Sequence, residues 1–282
     1  EWLKKNSTDL SAYSEKKEKA LEIDSNKLTI SKKYYGVTLE EEKDVILPLA
    51  KLGIEATGSM GDDTPMPVLS KQSRSIYDYF RQQFAQVTNP PIDSLRETSV
   101  MSLETCLGVE RNLFDESSLH AGRLILDSPI LSRQVFEKLI SYNKKDFPND
   151  KLSLHYDKTI DLEEAINTIS DRAVRSVKKG NVLIILSDKN LNSNQLTIPA
   201  AMAVGAVHHR LIKEGIRCDC NVIIETASTW NSHHFAVLLG YGCSAIYPYL
   251  SFSIIENMIS RNGLDNNVYG NHVANYIKGI NK

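Results

Sequence analysis

Long apolar runs are missing from this sequence. NVLIIL at 181–186 and FAVLLG at 235–240 fall far short of the ~20 residues a membrane-spanning helix needs, so no membrane partner is expected. Excess charge is missing too: 33 Lys and Arg stand against 35 Asp and Glu, which leaves no basic footprint for nucleic acid. Cysteine is scarce. Cys106, Cys218, Cys220 and Cys243 form no C-x-x-C pair and no secretory signal opens the chain, so reduced thiols and a cytoplasmic, or alternatively plastid, location are expected. Neither G-x-G-x-x-G nor G-x-x-x-x-G-K-S/T occurs, which argues against a nucleotide site. An initiating Met is absent as well: the chain opens EWLKKNSTDL and reads as an excised fragment.

What is present suits a soluble globular α/β protein. Over 282 residues, 41% are hydrophobic and 24% charged, enough for a sizeable core. Residues 1–35 are rich in Lys and Ser and weakly patterned, as in a linker. Thr38 followed by Glu41 is a capping box, predicting a helix that ends at Gly53. Ile76, Phe80, Phe84 and Val87 predict a second helix, stopped by VTNPP, where each proline drives its predecessor out of helical geometry. A third helix is expected over Val100–Leu107 with Gly108 as its C-terminal residue, and RNLFDESSLHAGRLIL reads as two strands joined by a polar loop.

The second half is clearer. Asp161 with Glu164 opens a helix closed by Gly180; NVLIIL is a strand buried on both faces; Pro199 begins a helix running to Gly215. NVIIE, a helix through Phe235 and Leu239, and SAIYPY follow. This β-α-β-α-β order implies parallel strands joined by helical crossovers, and both a doubly wound sheet and a (β/α) barrel fit it.

Several polar clusters carry candidate chemistry. Strand C-termini, where α/β proteins place reactive groups, carry Ser187, Asp188, Glu225, Thr226 and Ser228, although such residues also cap loops. The long link SDKNLNSNQLTIPA hints at a functional surface. His208–His209, His233–His234, Cys218, Cys220 and Cys243 could be assembled into a zinc site only on paper, because adjacent helical residues point about 100° apart. GSMGDD has two glycines, but Asp62 and Asp63 would repel phosphate; turn chemistry explains GDDTP better than paired acid–base carboxylates. Lys71, Arg74 and Arg81 read as helix-surface cations or interface partners.

The segments GSMGDDTPMPVLS, YDYFRQQFAQVTNPPIDSLRE, LSD, PAAMAVGAVHHRL, RCDCNVIIETAS and HHFAVLLGYGCSAIYPYL together resemble the central domain of the glutamate synthase large (alpha) chain, from about Lys33 to about Leu250. The resemblance implies an incomplete or rudimentary TIM-barrel-like (β/α) domain with parallel strands, preceded by a helical N-terminal region. It implies a linker from an amidotransferase domain over 1–35, the central domain over 36–255, and a linker toward an FMN-binding domain over 256–282. It also implies a connector that joins those domains and helps form an ammonia channel, with no catalytic, cofactor or metal residues of its own. FMN and an iron–sulfur cluster belong to the parent enzyme, which makes L-glutamate from L-glutamine and 2-oxoglutarate. A small iron–sulfur subunit or ferredoxin is the implied outside partner. Within this frame Met60, Thr64, Thr88 and Asn89 are the candidate channel or domain-interface residues, because a conduit for ammonia needs rigid turns and small or weakly polar walls. The alternatives are an independent barrel enzyme using FMN or a phosphorylated substrate, and a plain interaction scaffold.

Overall fold

The computed structural model describes residues 1–10, 24–55, 68–71, 74–80, 96, 100–142, 147–261 and 268–281. The organising element is a four-stranded parallel sheet: β4 (Asn149–Ser153), β6 (Leu183–Ser187), β8 (Asn221–Glu225) and β9 (Ala245–Tyr247), hydrogen-bonded in that order. Every residue of β6 and β9 is buried, as continuous β-branched runs require between two covered faces. The crossovers are α5 (Leu162–Lys178), α6 (Ala200–Lys213) and α7 (Ser232–Gly240). Strands that neighbour one another in sequence also neighbour one another in space, and α5 packs on α6 and α6 on α7. That is single winding in one direction, which separates this sheet from the doubly wound alternative. Ile130, which precedes β4 in the chain, bridges in parallel to Ile246 at the opposite edge. Among the described residues the strands do not close into a barrel.

A second sheet joins β1 (Thr8–Asp9), parallel, to β3 (Leu124–Leu126), with β2 (Thr105–Leu107) antiparallel on the other side. Its residues correct the expected helix over Val100–Leu107. Residues 101–104 carry no regular structure, and Thr105 to Leu107 pair as strand. Gly108 does not end a helix; at φ +143° its amide donates to Asn221 Oδ1 at 2.7 Å, and a Cβ there would lie 3.0 Å from the Gly122 carbonyl. The first expected strand of RNLFDESSL is instead a turn, with Asn112 Oδ1 accepting from the Phe114 amide at 3.1 Å. The helix expected from Ile76 is a single 3-10 turn, Ile76–Tyr79, after which Phe80 turns extended; Phe84 and Val87 lie outside the described residues. Tertiary contact overrides the local pattern here: Tyr77 is buried, stacked on His234 at 4.3 Å, and Phe80 meets Tyr241 edge-on at 5.4 Å.

Half of the capping box is present, since the Glu41 carboxylate accepts from Trp230 Nε1 at 2.9 Å. Thr38 Oγ1 accepts from the Glu41 amide at 3.1 Å, but the chain first makes a wide π-type turn, Glu41–Ile46, before α3 (Leu47–Leu52). Ile46, Leu49 and Ala50 point inward while Leu52 is exposed. Gly53 closes α3 in the left-handed region at φ +62°. The α3 carbonyls of Ala50 and Lys51 accept from His272 Nδ1 (2.9 Å) and Asn275 Nδ2 (3.1 Å) of α9 (Tyr269–Ile280). The two helices approach closely at Gly279, where an added Cβ would meet Leu49 Cδ2 at 2.6 Å and the Gly53 carbonyl carbon at 3.1 Å. Gly279→Ala should gain about 1 kcal/mol in helix propensity and lose about 1–3 kcal/mol to overpacking. A lower thermal midpoint is the expected net result, and an unchanged or higher one would show that the contact is slack.

Candidate functional site

Register brings the sequence-predicted polar residues together. Ser153, Ser187, Glu225 and Tyr247 lie side by side across the C-terminal edge of the sheet. Asp188, Thr226 and Ser228 follow in the next residues. At this edge Glu225 is buried and accepts from the Ser187 hydroxyl at 2.6 Å through Oε2. Its Oε2 also pairs with Lys151 of β4, and its Oε1 lies 3.5 Å from Lys189 Nζ. The Lys189 ammonium sits over the rings of Tyr249 (5.5 Å) and Tyr247 (5.9 Å).

Asp188 is buried beside it. Thr226 Oγ1 donates to its Oδ2 at 2.5 Å, and the Ala227 amide donates to Oδ1 at 3.0 Å and Oδ2 at 3.2 Å. Burial, opposed by those donors and assisted by the Glu225 charge, pushes the Asp188 carboxyl up to about 7. Phenols close the edge. Tyr35, from α2 (Ser25–Tyr35), and Tyr249, from α8 (Tyr249–Arg261), both donate to the Asp188 carbonyl, at 3.2 and 3.3 Å. Tyr77 lies 3.1 Å from Ser228 Oγ, which in turn lies 2.9 Å from Thr226 Oγ1. Burial holds all three phenols well above their ordinary pKa, so they remain protonated donors.

The long link 187–200 has its own use. Its Gln195–Thr197 segment, β7, pairs antiparallel with β5 (His155–Asp157) beside the same edge. His155 Nε2 donates to the Lys189 carbonyl at 3.0 Å, which leaves Nδ1 to accept from Thr197 Oγ1 at 2.8 Å. Thus all four carboxylate oxygens of Asp188 and Glu225 are engaged inside the chain. Side chains so engaged fix the backbone at the strand ends.

The histidine and cysteine positions are not brought together. Among the described residues no three His, Cys, Asp or Glu side chains gather to hold a metal. His208 Nδ1 accepts from Arg217 Nε at 2.9 Å, and Arg217 reaches on to the carbonyls of Cys220 and Gly242, both at 2.8 Å. Burial and then the Arg217 charge lower the His208 pKa. His234 is buried between Tyr77 and Trp230, and desolvation drives its pKa down to about 3. His233 Nε2 donates to the Tyr77 carbonyl at 3.0 Å. Cys220 and Cys243 are buried, and burial raises both thiols. Lys71 and Arg74 are exposed, and Arg81 lies outside the described residues.

Met60, Thr64, Thr88 and Asn89 also lie outside the described residues. Sequence reading missed the reach of Tyr35, Tyr77 and Lys151 into the strand ends; no local signal marks a phenol that bonds 153 residues away. A notch lined by Leu47, Ala50, Ile255, Met258, Ile259 and His272 has about 10 Å³ of room, that of a single water. No helix among the described residues is long and apolar enough to cross a membrane.

The Bacillus subtilis NADPH glutamate synthase large chain is 38% identical over 253 residues, covering 90% of this chain and 16% of its own length. The ferredoxin-dependent glutamate synthase of Pyropia yezoensis is 40% identical over 233 residues, covering 82% and 15%. The chain therefore spans about one-sixth of the length of these relatives. A flavocytochrome b2 variant with pyruvate bound overlaps 56% of this chain and 38% of its own, at 13% identity and a TM-score of 0.32, too low to bear on the fold. The family described as glutamate synthase central domain matches residues 31–282, and the chain belongs to that family.

Proposed function

We propose that this chain is the connecting domain of a glutamate synthase large chain. It links a glutamine amidotransferase domain to an FMN-binding synthase domain and borders the passage that carries ammonia between them. The parent enzyme then makes L-glutamate from L-glutamine and 2-oxoglutarate, with FMN and an iron–sulfur cluster held outside this chain and electrons drawn from ferredoxin or through a small iron–sulfur subunit. On this reading the singly wound sheet is a rudimentary (β/α) barrel.

The supporting observation is the strand C-terminal edge. Where such folds keep their chemistry, Asp188 and Glu225 spend every carboxylate oxygen on internal partners. An FMN phosphate does not fit those residues: Lys151 and Lys189 are paired with Glu225, and two carboxylates would face the anion. Fixed backbone is what a connector needs, and the tyrosine-laced edge provides it.

The test uses the full-length enzyme. Thr88→Trp should lower glutamate formed per glutamine hydrolysed at least several-fold, while synthesis from added ammonia persists. An unchanged ratio for both Thr88→Trp and Met60→Trp would remove these residues from the passage wall. A flavin absorbance that stays with residues 1–282 would replace the connector reading by a flavoenzyme.

A further inference from the structure

Among the exposed apolar side chains, one group surrounds the loop 112–117. Leu113 is 91% exposed and Phe114 94%; Leu119, in the turn Ser118–Ala121, is 59% exposed. Helix α1 (Trp2–Asn6) packs against that turn and adds Trp2, 52% exposed, and Leu3, 61%. Adjacent Leu and Phe held almost wholly in water mark a recognition surface when they occur together. Trp and Phe are the side chains that anchor interfaces.

The loop is ordered without a partner. Asn112 receives the Phe114 amide through its side chain at 3.1 Å and the Asp115 amide through its carbonyl at 3.1 Å. Ser117 Oγ receives the Leu119 amide at 3.2 Å, and His120 Nε2 donates to the Asp115 carbonyl at 2.7 Å. Arg123 then ties the loop base to the Gly108 carbonyl at 2.9 Å. Most of the ordering cost of docking is therefore already met. Lys4, Lys5, Asp115 and Glu116, all exposed, give the patch a rim of mixed charge.

We propose that Trp2, Leu3, Leu113, Phe114 and Leu119 form the docking surface for the part of the same polypeptide that precedes residue 1. On the connector reading, on which this inference rests, that part is the amidotransferase domain. The relatives devote only 15–16% of their length to this segment, so most of such a polypeptide lies outside it. The start of the chain is pinned over the loop: β1 pairs with β3 at Thr8–Leu124, and Thr8 Oγ1 lies 2.7 Å from the Tyr142 hydroxyl. A domain attached at residue 1 is thus delivered to the patch at millimolar effective concentration or above, of the order that short tethers give. A shallow apolar surface suffices for such a tethered partner.

In the full-length enzyme, Phe114 replaced by the photocrosslinker p-benzoyl-L-phenylalanine should yield cross-linked peptides that map before residue 1. Cross-links to a second copy, to the region after residue 282, or none at all would overturn the proposal. Leu113→Asp with Phe114→Asp should reduce glutamine-dependent synthesis about tenfold or more, the scale of losing an aromatic anchor, and leave ammonia-dependent synthesis unchanged. Cross-links before residue 1 with an unaltered coupling ratio in Thr88→Trp would keep the docking surface and sink the channel wall; the reverse result would do the opposite.

Discussion

Asp188→Asn is expected to expose a rise in stability with pH that the native protein conceals. The Asp188 carboxyl titrates near 7 when folded and near its ordinary value of 3.8 when unfolded, so the folded state holds the extra proton between those limits. Its stabilising contribution is complete below about 4 and is lost as pH climbs through about 7, on the order of 4 kcal/mol across the window. His234 works in the opposite sense. Its imidazole protonates at about 3 when folded against 6.5 when unfolded, so its contribution is present above 6.5 and lost as pH falls toward 3. Between about pH 4 and 6.5 the two slopes oppose and largely cancel. Urea midpoints for the native chain should be nearly flat there. In Asp188→Asn they should rise with pH, and in His234→Phe they should fall. The asparagine still accepts from the Ala227 amide, so folding itself is preserved. Parallel profiles for all three proteins would dismiss both assignments.

Gly242→Ala should be among the most damaging single-methyl changes. Gly242 sits at φ +100°, and an added Cβ would land on the His208 imidazole. That ring cannot swing away cheaply, since its Nδ1 holds Arg217, whose guanidinium also bonds the carbonyls of Cys220 and Gly242. Left-handed backbone costs a β-carbon residue about 1–2 kcal/mol, and overpacking adds about 1–3 kcal/mol. Gly215 provides the control, at φ +71° with open space around its Cα. Gly215→Ala carries the backbone cost alone, so Gly242→Ala should lose roughly 2 kcal/mol more in chemical denaturation. Equal losses would show that the His208–Arg217 contact yields freely.

The parallel sheet was legible because its signals are local. NVLIIL and NVIIE are apolar runs of strand length, while Asp161 and Gly180 bracket one crossover helix and Pro199 and Gly215 the next; Pro199, expected at the first helical position, is instead the N-cap before Ala200. Sequence placed Ser187, Asp188, Glu225, Thr226 and Ser228 at strand ends. It could not say that their oxygens are consumed, because Thr226 and Ala227 reach Asp188, and Ser187, Lys151 and Lys189 reach Glu225, only once the strands have paired. The misread segments share one cause. Ile76 to Phe80 carries a helical stripe, yet the burial of Tyr77 against His234 outweighs the few hydrogen bonds a helix there would add. Residues 105–107 lack any strong alternation, and only pairing with Leu124–Leu126 makes them a strand. The resemblance to glutamate synthase rested on whole segments, which explains why it was readable where a catalytic motif was not.

The N-terminal residues that carry Tyr35, Glu41 and Tyr77 lie as a strap on the sheet, and this has a kinetic consequence. Tyr35 bonds to Asp188, Tyr77 to Ser228 and Trp230 to Glu41, contacts separated by 153, 151 and 189 residues. The 149–247 sheet, by contrast, pairs only successive strands. Long loops close slowly, so the sheet should assemble first and the strap should dock onto it afterwards. During synthesis the strap emerges first, at ~5–20 residues per second, and must wait several seconds at least before its acceptors leave the ribosome. Leu28, Ile46, Leu49 and Tyr77 are buried only once that docking is complete, so these apolar side chains stay in water throughout the wait.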